Sequence, residues 1–513
     1  MVESVKATSP LDEMELPPLQ RRVFCNRTLN MRSIEAVGCD MDYTLVHYNT
    51  ERWELGAFEH AKQQLLDKGW PVRDLVFQPE LACLGLVIDV ELGNVVKANR
   101  FGHVRRAYHG TTPLTFAERR AEYTTAPVDL SDSRWEFMNT LFSLSEACLF
   151  MKLVELLDAG KLDGLINAHA MTYRELYKQV KEALDATHIE GKLKAQIMAN
   201  PEEYVVLDPD LPLALQDLRG AGKKLMLITN SEWIYTRAMM SYAFDRYLPA
   251  GTTWRDLFDI VVVQARKPAF FSSRNPVFKL VNEEGLLEPY IGKLEIGGIY
   301  LGGDARLIEK SLGVQADDIL YIGDHIFADV HVSKDLLRWR TALVVRELEE
   351  ELEEMVQFHA QQLQLEQWMT QKALWEHQFS QIRLVLQRKK RGYGPELDVD
   401  VAALRAQMQA LRTQLVALDE QIAPLAKISG ELFNAGWGPL MRCGSDKSHL
   451  ARQIERYADI YTSRVSNLLR YTPFVYLRAP RGTLPHDTDL INIEALSGLV
   501  EPVEGAYLTA DVP

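Results

Sequence analysis

The sequence has few cysteines, no long apolar run and no excess of positive charge. Its five cysteines are far apart and form no C-x-x-C pair, which argues against a disulfide framework or a zinc site and indicates buried thiols in a reducing compartment. No apolar stretch reaches the roughly 18 residues that cross a bilayer, and the first 20 residues lack the apolar core of a secretion signal. We therefore expect a cytoplasmic protein that has no membrane partner.

The charge balance argues against nucleic acid as a partner. The chain has 57 Lys and Arg against 71 Asp and Glu, a formal net charge of −14. A surface of this sign repels the nucleic-acid backbone and anionic lipid, so no nucleic-acid partner is expected. A small phosphorylated substrate is still compatible with this charge, because a local basic pocket can override the average. The length of 513 residues predicts about three domain-sized units.

Short apolar runs separated by helical segments predict an α/β fold with a Rossmann-like parallel sheet. The runs lie in IEAVGC (34–39), KLMLI (224–228), DIVVV (259–263) and DILYIG (318–323). Runs of this length and composition are typical of parallel strands whose two faces are both covered. Such sheets bind ligands at the carboxyl ends of their strands.

Two further regions are predicted to be mainly helical. Between the first two strands, WEFMNTLFSLSEACLFMKLVELL (135–157) and a segment from Thr172 to Ile189 have helical periodicity, and a β-hairpin is expected to turn at Gly93-Asn94. Residues 346–427 predict a projecting antiparallel helical hairpin, with a dimerisation arm as the alternative. Its second helix has apolar residues at spacings of three and four: Val401, Leu404, Met408, Leu411, Leu415, Leu418 and Ile422. GGIYLGG (297–303) is interpreted as a hairpin turn.

Polar side chains follow each of the four predicted strands. They are Asp40 and Asp42 after the first, Thr229, Asn230 and Ser231 after the second, Lys267 after the third, and Asp324 and Asp329 after the fourth. Singly, each has an ordinary structural explanation, such as a helix cap, a surface charge or a turn. Together, and in this order, they predict one site at the carboxyl edge of the sheet.

This set suits phosphoryl transfer through an aspartyl-phosphate. Asp40 is the expected nucleophile, and Asp42, two residues later, the expected general acid and base. Mg²⁺ prefers oxygen ligands, which Asp40, Asp324 and the carbonyl of Asp42 can supply, with Asp329 in support. We expect the Thr229 hydroxyl and the Asn230 backbone N–H to hold phosphate oxygens. Lys267 is expected to offset charge in the transition state.

The motifs DMDYTL, LITNS, ARKP and GDHIFAD resemble, in this order, the four motifs of the haloacid dehalogenase superfamily of phosphatases. Longer stretches from about residue 23 to 487, among them RQIERYADIYTS, resemble the cytosolic purine 5′-nucleotidase family. The resemblance implies a Mg²⁺-dependent hydrolase of nucleoside monophosphates that forms a dimer or tetramer. It also implies a catalytic core (21–50, 205–345 and 428–490) and an inserted cap (51–204), and it falters only across the hairpin (346–427). Composition predicts a mobile tail at 1–20 and a C-terminal tail at 491–513.

In that family the cap closes over the base of the substrate. The resemblance places substrate contacts at Asn139, Phe142, Lys181, Asp185, His188 and Lys194, with Asn139 on the same helix as Phe142. Lys181 replaces an arginine of the vertebrate purine enzyme and Ile189 a tyrosine, which leaves the preferred base open. Asp129 and Asp335 stand where that enzyme has basic residues, so we expect weak activation by ATP or none.

Two other hypotheses remain open from the sequence. The same chemistry could act on another small phosphate ester, because the cap departs from the family at base-contacting positions. Alternatively, the chain could be an interaction protein that uses the helical hairpin and no longer catalyses.

Overall fold

A ten-stranded mixed sheet forms the centre of the molecule in a computed structural model that describes residues 16–165, 171–396 and 398–482. Across the sheet the strands run in the order Phe24–Cys25, Ile460–Thr462, Arg340–Val344, Ile319–Gly323, Ala36–Cys39, Lys224–Ile228, Ile260–Val263, Gly298–Gly302, Val277–Leu280 and Leu287–Pro289. The run from Ile460–Thr462 to Gly298–Gly302 is parallel, and the outer pairings are antiparallel. The predicted α/β fold with a parallel sheet is confirmed.

Both faces of this sheet are covered, as the apolar runs predicted. Leu225 and Leu227 belong to one hydrophobic cluster, and the intervening Met226 and Ile228 belong to another. Because successive side chains of a strand point to opposite faces, these two clusters lie on the two sides of the sheet. The helices that precede or connect these strands include Asp210–Gly220, Trp233–Phe244, Ala269–Ser272, Ala305–Leu312 and His449–Tyr457.

The segment GGIYLGG is a strand of the central sheet, so its interpretation as a hairpin turn is wrong. Gly298–Gly302 pairs in parallel with Ile260–Val263. Gly298, one of the glycines that suggested a turn, has another role, because a Cβ on it would lie 2.5 Å from the Tyr300 hydroxyl. The Tyr300 side chain therefore occupies space that only a glycine leaves open.

The segment between the first two parallel strands contains helices and a second sheet. Its helices are Thr50–Asp67, Phe116–Tyr123, Leu144–Asp158, Tyr173–Glu190, Lys192–Ala199 and Pro201–Tyr204. The antiparallel sheet has the order Thr112–Pro113, Val104–His109, Asn94–Ala98, Val87–Asp89 and Trp135–Phe137. The predicted hairpin is confirmed, with Gly93 at a positive φ of 69° directly before the second strand.

The single helix predicted over 135–157 is wrong in its first part. Trp135–Phe137 is a strand that pairs with Val87–Asp89, and a 3-10 turn, Leu141–Ser143, precedes the helix Leu144–Asp158. Asn139 therefore lies in the loop before the turn and does not share a helix with Phe142. Trp135 and Phe137 are large side chains that suit a strand as well as a helix, so helical periodicity alone misplaced the boundary.

The predicted helical hairpin is present, although its first arm is divided. Leu348–Gln357 and His359–Arg391 are separate helices that meet at the buried Phe358, and Val401–Glu431 runs back along the second of them. Leu411, Leu418 and Ile422 of the predicted seam are buried, whereas most other side chains of Val401–Glu431 are exposed. Within the described ranges, no helix is long and apolar enough to cross a bilayer.

Small two-stranded sheets complete the described part of the fold. They pair His47–Tyr48 with Val205–Val206, Leu29–Asn30 with Tyr476–Leu477, and Arg442–Cys443 with Asp446–Lys447. All five cysteines are free and four of them are buried, as predicted. Of the tails predicted at 1–20 and 491–513, only residues 16–20 fall within the described residues.

Candidate active site

Four adjacent parallel strands deliver the predicted side chains to one edge of the central sheet. The strand Ala36–Cys39 lies between Ile319–Gly323 and Lys224–Ile228, and Ile260–Val263 follows next. Each strand is short and buried, so the chain leaves the sheet at nearly the same level on all four. The polar residues directly after them therefore meet in space.

Three buried carboxylates form a compact trio at this edge. One oxygen each of Asp40, Asp324 and Asp329 lies within 4.8 Å of the others. Lys267 joins them, with its Nζ 2.7 Å from Asp40 Oδ1 and 2.7 Å from Asp329 Oδ1. Gly323 makes room for Asp329, because a Cβ on Gly323 would lie 2.5 Å from the Asp329 Cβ.

When fully ionised, the trio would carry more negative charge than one lysine can neutralise. Burial raises the pKa of Asp40 to about 6; Lys267 opposes this rise and Asp329 adds to it. Burial, followed by repulsion from Asp329 and Asp40, raises the pKa of Asp324 well above its usual range. For Lys267, burial lowers the pKa, but attraction to Asp329 and Asp40 outweighs it and the net pKa is raised. A divalent cation with oxygen ligands suits such a site.

Asp42 is held separately from the trio by two hydroxyl groups. The Tyr48 hydroxyl donates to Asp42 Oδ1 at 2.6 Å, and the Ser231 hydroxyl donates to Oδ2 at 2.7 Å. Burial is the largest cause of a raised Asp42 pKa, which Lys194 partly offsets. Asp40 and Asp42, two residues apart, therefore sit in different environments.

The TNS triplet organises the same edge of the sheet. Thr229 is fully buried, and its hydroxyl accepts a hydrogen bond from the Ser231 backbone N–H at 3.1 Å. The Asn230 amide holds the Lys267 backbone, accepting from its N–H at 2.6 Å and donating to its carbonyl at 3.1 Å. The Asn230 side chain thus positions the loop that carries Lys267.

Two of the predicted substrate-contacting residues lie beside this site. Lys194 Nζ lies 3.1 Å from the Ser231 hydroxyl and 3.0 Å from Glu232 Oε2. Phe142 packs edge-on against Tyr43, at 4.8 Å between ring centroids, and against Trp53 at 5.3 Å. Since Tyr43 is the residue after Asp42, the Phe142 ring lies close to the acidic edge.

Of the other predicted substrate contacts, two are exposed, one is half-buried, and one has a side chain that the structure does not describe. Lys181 and Asp185 are exposed, and Lys181 Nζ lies 3.7 Å from Glu136 Oε2. Asn139 is half-buried in its loop. The backbone of His188 is part of the helix Tyr173–Glu190, but its side chain lies outside what the structure describes.

Three residues at this site were not assigned a role from the sequence. Tyr48 and Ser231 contact Asp42, and the Thr140 hydroxyl donates to Asp324 Oδ2 at 3.4 Å. Ser231 lies within a recognised motif, so its position was a usable signal. Tyr48 and Thr140 belong to no recognised motif, and only the fold brings them to the carboxylates.

Comparison with known proteins shows the family of the chain. The profile of the 5′ nucleotidase family matches residues 23–489. The chain belongs to the 5′-nucleotidase family. It is also 26% identical over 504 residues to a 5′-nucleotidase domain-containing protein of Dictyostelium discoideum, covering 96% of this chain and 79% of the relative. Membership supports a phosphoric monoester hydrolase activity, and the extent of the match agrees with the resemblance over about 23–487.

Proposed function

We propose that the protein is a Mg²⁺-dependent 5′-nucleotidase of the haloacid dehalogenase type. It hydrolyses nucleoside monophosphates, preferably purine, through a phosphoaspartate on Asp40. The observation that carries the proposal is the position of Asp40 beside Lys267 and within reach of Asp324 and Asp329. An unprotonated nucleophile needs neighbouring positive charge to approach a phosphate dianion, and this edge supplies one lysine and ligands for a cation.

The donor set fits Mg²⁺. Lys267 pairs with two of the three buried carboxylates, Asp40 and Asp329, which leaves uncompensated charge of the kind that a hard divalent cation neutralises. Asp40, Asp324 and the carbonyl of Asp42 would hold the ion, with Asp329 beside them. When bound, Mg²⁺ supplies positive charge that offsets repulsion between the Asp40 carboxylate and the substrate phosphate.

The residues of the chain then divide the reaction between them. An Asp40 oxygen attacks phosphorus in line, while Asp42 transfers its proton to the departing 5′-oxygen of the nucleoside. In the second step Asp42 accepts a proton from the water that attacks the phosphoaspartate. The Thr229 hydroxyl and the Asn230 backbone N–H bind phosphate oxygens, and Lys267 offsets charge in the transition state. A nucleoside hydroxyl in place of water would turn hydrolysis into phosphotransfer.

The arrangement of the chain supports a cap that selects the substrate. In the proposed division, residues 21–50, 205–345 and 428–490 form the core, residues 51–204 the cap and residues 346–427 the hairpin. Phe142 would stack on the base, and Lys194 would contact the phosphate or nucleoside. Asn139, Lys181, Asp185 and His188 remain proposed substrate contacts of the same cap. We further propose a cytoplasmic homo-oligomer in which ATP activates weakly or not at all.

Phosphate release across a panel of substrates tests this function. We expect release from purine nucleoside monophosphates in Mg²⁺, loss of release in excess chelator, and loss with Asp40→Asn. Equal rates on sugar phosphates would show that the protein is a more general phosphatase and not a nucleotidase. Full activity of Asp40→Asn would contradict the proposed mechanism.

A further inference from the structure

Both oxygens of the Asp42 carboxylate are occupied by protein hydroxyl groups. Tyr48 donates to Oδ1 at 2.6 Å and Ser231 donates to Oδ2 at 2.7 Å. Tyr48 and Ser231 are buried, with exposed fractions of 3% and 4%. Because little water reaches these donors, the two bonds fix the plane of the carboxylate more firmly than they would at a surface.

Each of these donors is itself held by a second residue. The Tyr235 hydroxyl donates to the Tyr48 oxygen at 3.0 Å, and Lys194 Nζ donates to the Ser231 oxygen at 3.1 Å. An ammonium group only donates, so the Ser231 oxygen must accept from Lys194 and its own hydrogen is left for Asp42. The Tyr48 hydroxyl is directed in the same way by Tyr235.

The two residues that hold the donors, Tyr235 and Lys194, also contact each other. Lys194 Nζ lies 4.7 Å from the centroid of the Tyr235 ring, a cation–π distance. Asp42, Tyr48, Tyr235, Lys194 and Ser231 therefore form a closed ring of contacts, which we call the Asp42 ring. Its members come from separate elements, with Tyr48 on the strand His47–Tyr48, Tyr235 on the helix Trp233–Phe244 and Lys194 on the helix Lys192–Ala199.

We propose that Tyr48 and Ser231, backed by Tyr235 and Lys194, are positioning residues that aim the Asp42 carboxylate at the leaving group and at the attacking water. The inference deepens the proposed function and rests on it. In the first step the Asp40 O–P bond forms, the P–O5′ bond breaks and the Asp42 proton moves to O5′. In the second step a water O–P bond forms, the Asp40 O–P bond breaks and the water proton moves to Asp42.

If the Asp42 ring positions the carboxylate, a variant of the ring should lose rate to a degree that depends on the leaving group of the substrate. A nucleoside alkoxide needs the Asp42 proton to depart, whereas p-nitrophenolate is stable enough to leave without one. Loss of one of the two hydrogen bonds that fix the Asp42 carboxylate should therefore slow phosphoenzyme formation from a nucleotide, but not from p-nitrophenyl phosphate. Hydrolysis of the phosphoenzyme should slow for both substrates, since its water needs the same carboxylate.

The test compares Tyr48→Phe and Tyr235→Phe with the wild type on both substrates, by stopped-flow and steady-state kinetics. For Tyr48→Phe we expect kcat on a purine nucleoside monophosphate to fall about 10- to 100-fold with little change in KM. On p-nitrophenyl phosphate the first turnover should keep its wild-type rate, and a burst should appear because the second step is slow. Tyr235→Phe, one bond farther away, should change the same quantities by a smaller factor.

Tyr123→Phe is the matched control. Tyr123 is also a buried tyrosine that donates to a buried carboxylate, Asp89, at 3.0 Å, but it lies in the cap beside the antiparallel sheet. We expect this variant to leave the kinetics of both substrates unchanged.

Two results would overturn the inference. One is a rate of the first turnover that falls equally for both substrates with Tyr48→Phe. The other is no kinetic change in that variant. Failure of the proposed function would look different: the wild type would form no phosphoenzyme, or Asp40→Asn would stay active.

Discussion

Lys267 is the residue on which the charge of the acidic edge depends most directly. It is almost fully buried, and its ammonium group lies 2.7 Å from both Asp40 and Asp329. Removing one partner of a buried ion pair leaves the other charge uncompensated, which costs more than the pair itself contributes. The proposed role of Lys267 in catalysis and its role in stability therefore arise from the same contacts.

Lys267→Met should lower the free energy of unfolding by about 3 kcal/mol and abolish most phosphate release. Urea denaturation and a phosphate assay measure the two effects. Lys97→Met is the matched control, because Lys97 is a buried lysine that donates to backbone carbonyls, including that of Trp437 at 2.9 Å. This control should lose stability but keep its activity once folded. Equal activity in the two variants would contradict the proposed role of Lys267.

At the scale of elements, Glu54 connects two helices beside the site. It lies on Thr50–Asp67, is fully buried and accepts a hydrogen bond from the Ser145 N–H at 2.7 Å, in the first turn of Leu144–Asp158. Phe142 precedes that helix by two residues, so Glu54 helps to fix the segment that packs against Tyr43. Burial is the main cause that raises the pKa of Glu54 from 4.5 to about 8.

The raised Glu54 pKa predicts a pH dependence of stability. The folded protein binds the Glu54 proton more tightly than the unfolded chain, so this stabilisation is complete below pH 4.5 and is lost as the pH rises through about 8. Glu54→Gln cannot ionise, and its free energy of unfolding should fall less steeply between about pH 5 and 8, with a difference in slope of up to about 1.4 kcal/mol per pH unit. Urea titrations at several pH values measure this, and parallel profiles would contradict it.

The helical hairpin is an element whose apolar seam can be tested apart from the site. Leu418 is 7% exposed and packs in a small cluster with Leu365 and Ile422. Leu418→Ala should lower the free energy of unfolding by roughly 2 kcal/mol and leave phosphate release unchanged. Val416→Ala, at a 53% exposed position of the same helix, should change neither quantity. Loss of activity in parallel with loss of hairpin stability would assign the hairpin a part in catalysis.

At the scale of the whole molecule, the sequence predicted the features that depend on local pattern. Buried strands such as Ile260–Val263 are continuous apolar runs, and the polar residues after parallel strands necessarily share one edge. The hairpin seam was equally predictable, because it repeats at a fixed spacing. The family resemblance added two predicted substrate contacts, Phe142 and Lys194, which the fold brings beside the acidic edge.

The features that the sequence did not predict depend on contacts between distant elements. Tyr235 and Tyr48 are 187 residues apart along the chain, and no periodic pattern relates them. The strand Trp135–Phe137 was missed because its identity comes from pairing with Val87–Asp89, not from its own composition. The segment GGIYLGG was misinterpreted for the same reason, since its identity as a strand comes from pairing with Ile260–Val263.

The central claim for the whole molecule is that phosphate passes through Asp40. Acid quenching during turnover of a nucleoside monophosphate, followed by mass spectrometry of peptides, locates the phosphoryl group. For Asp42→Asn the substrate is p-nitrophenyl phosphate, whose leaving group needs no proton from Asp42; the intermediate should accumulate because the second step needs the Asp42 carboxylate as a base. We predict a phosphorylated peptide that contains Asp40 in the wild type and in Asp42→Asn, and none in Asp40→Asn. Turnover without any phosphorylated peptide, or with phosphate on another residue, would contradict the account.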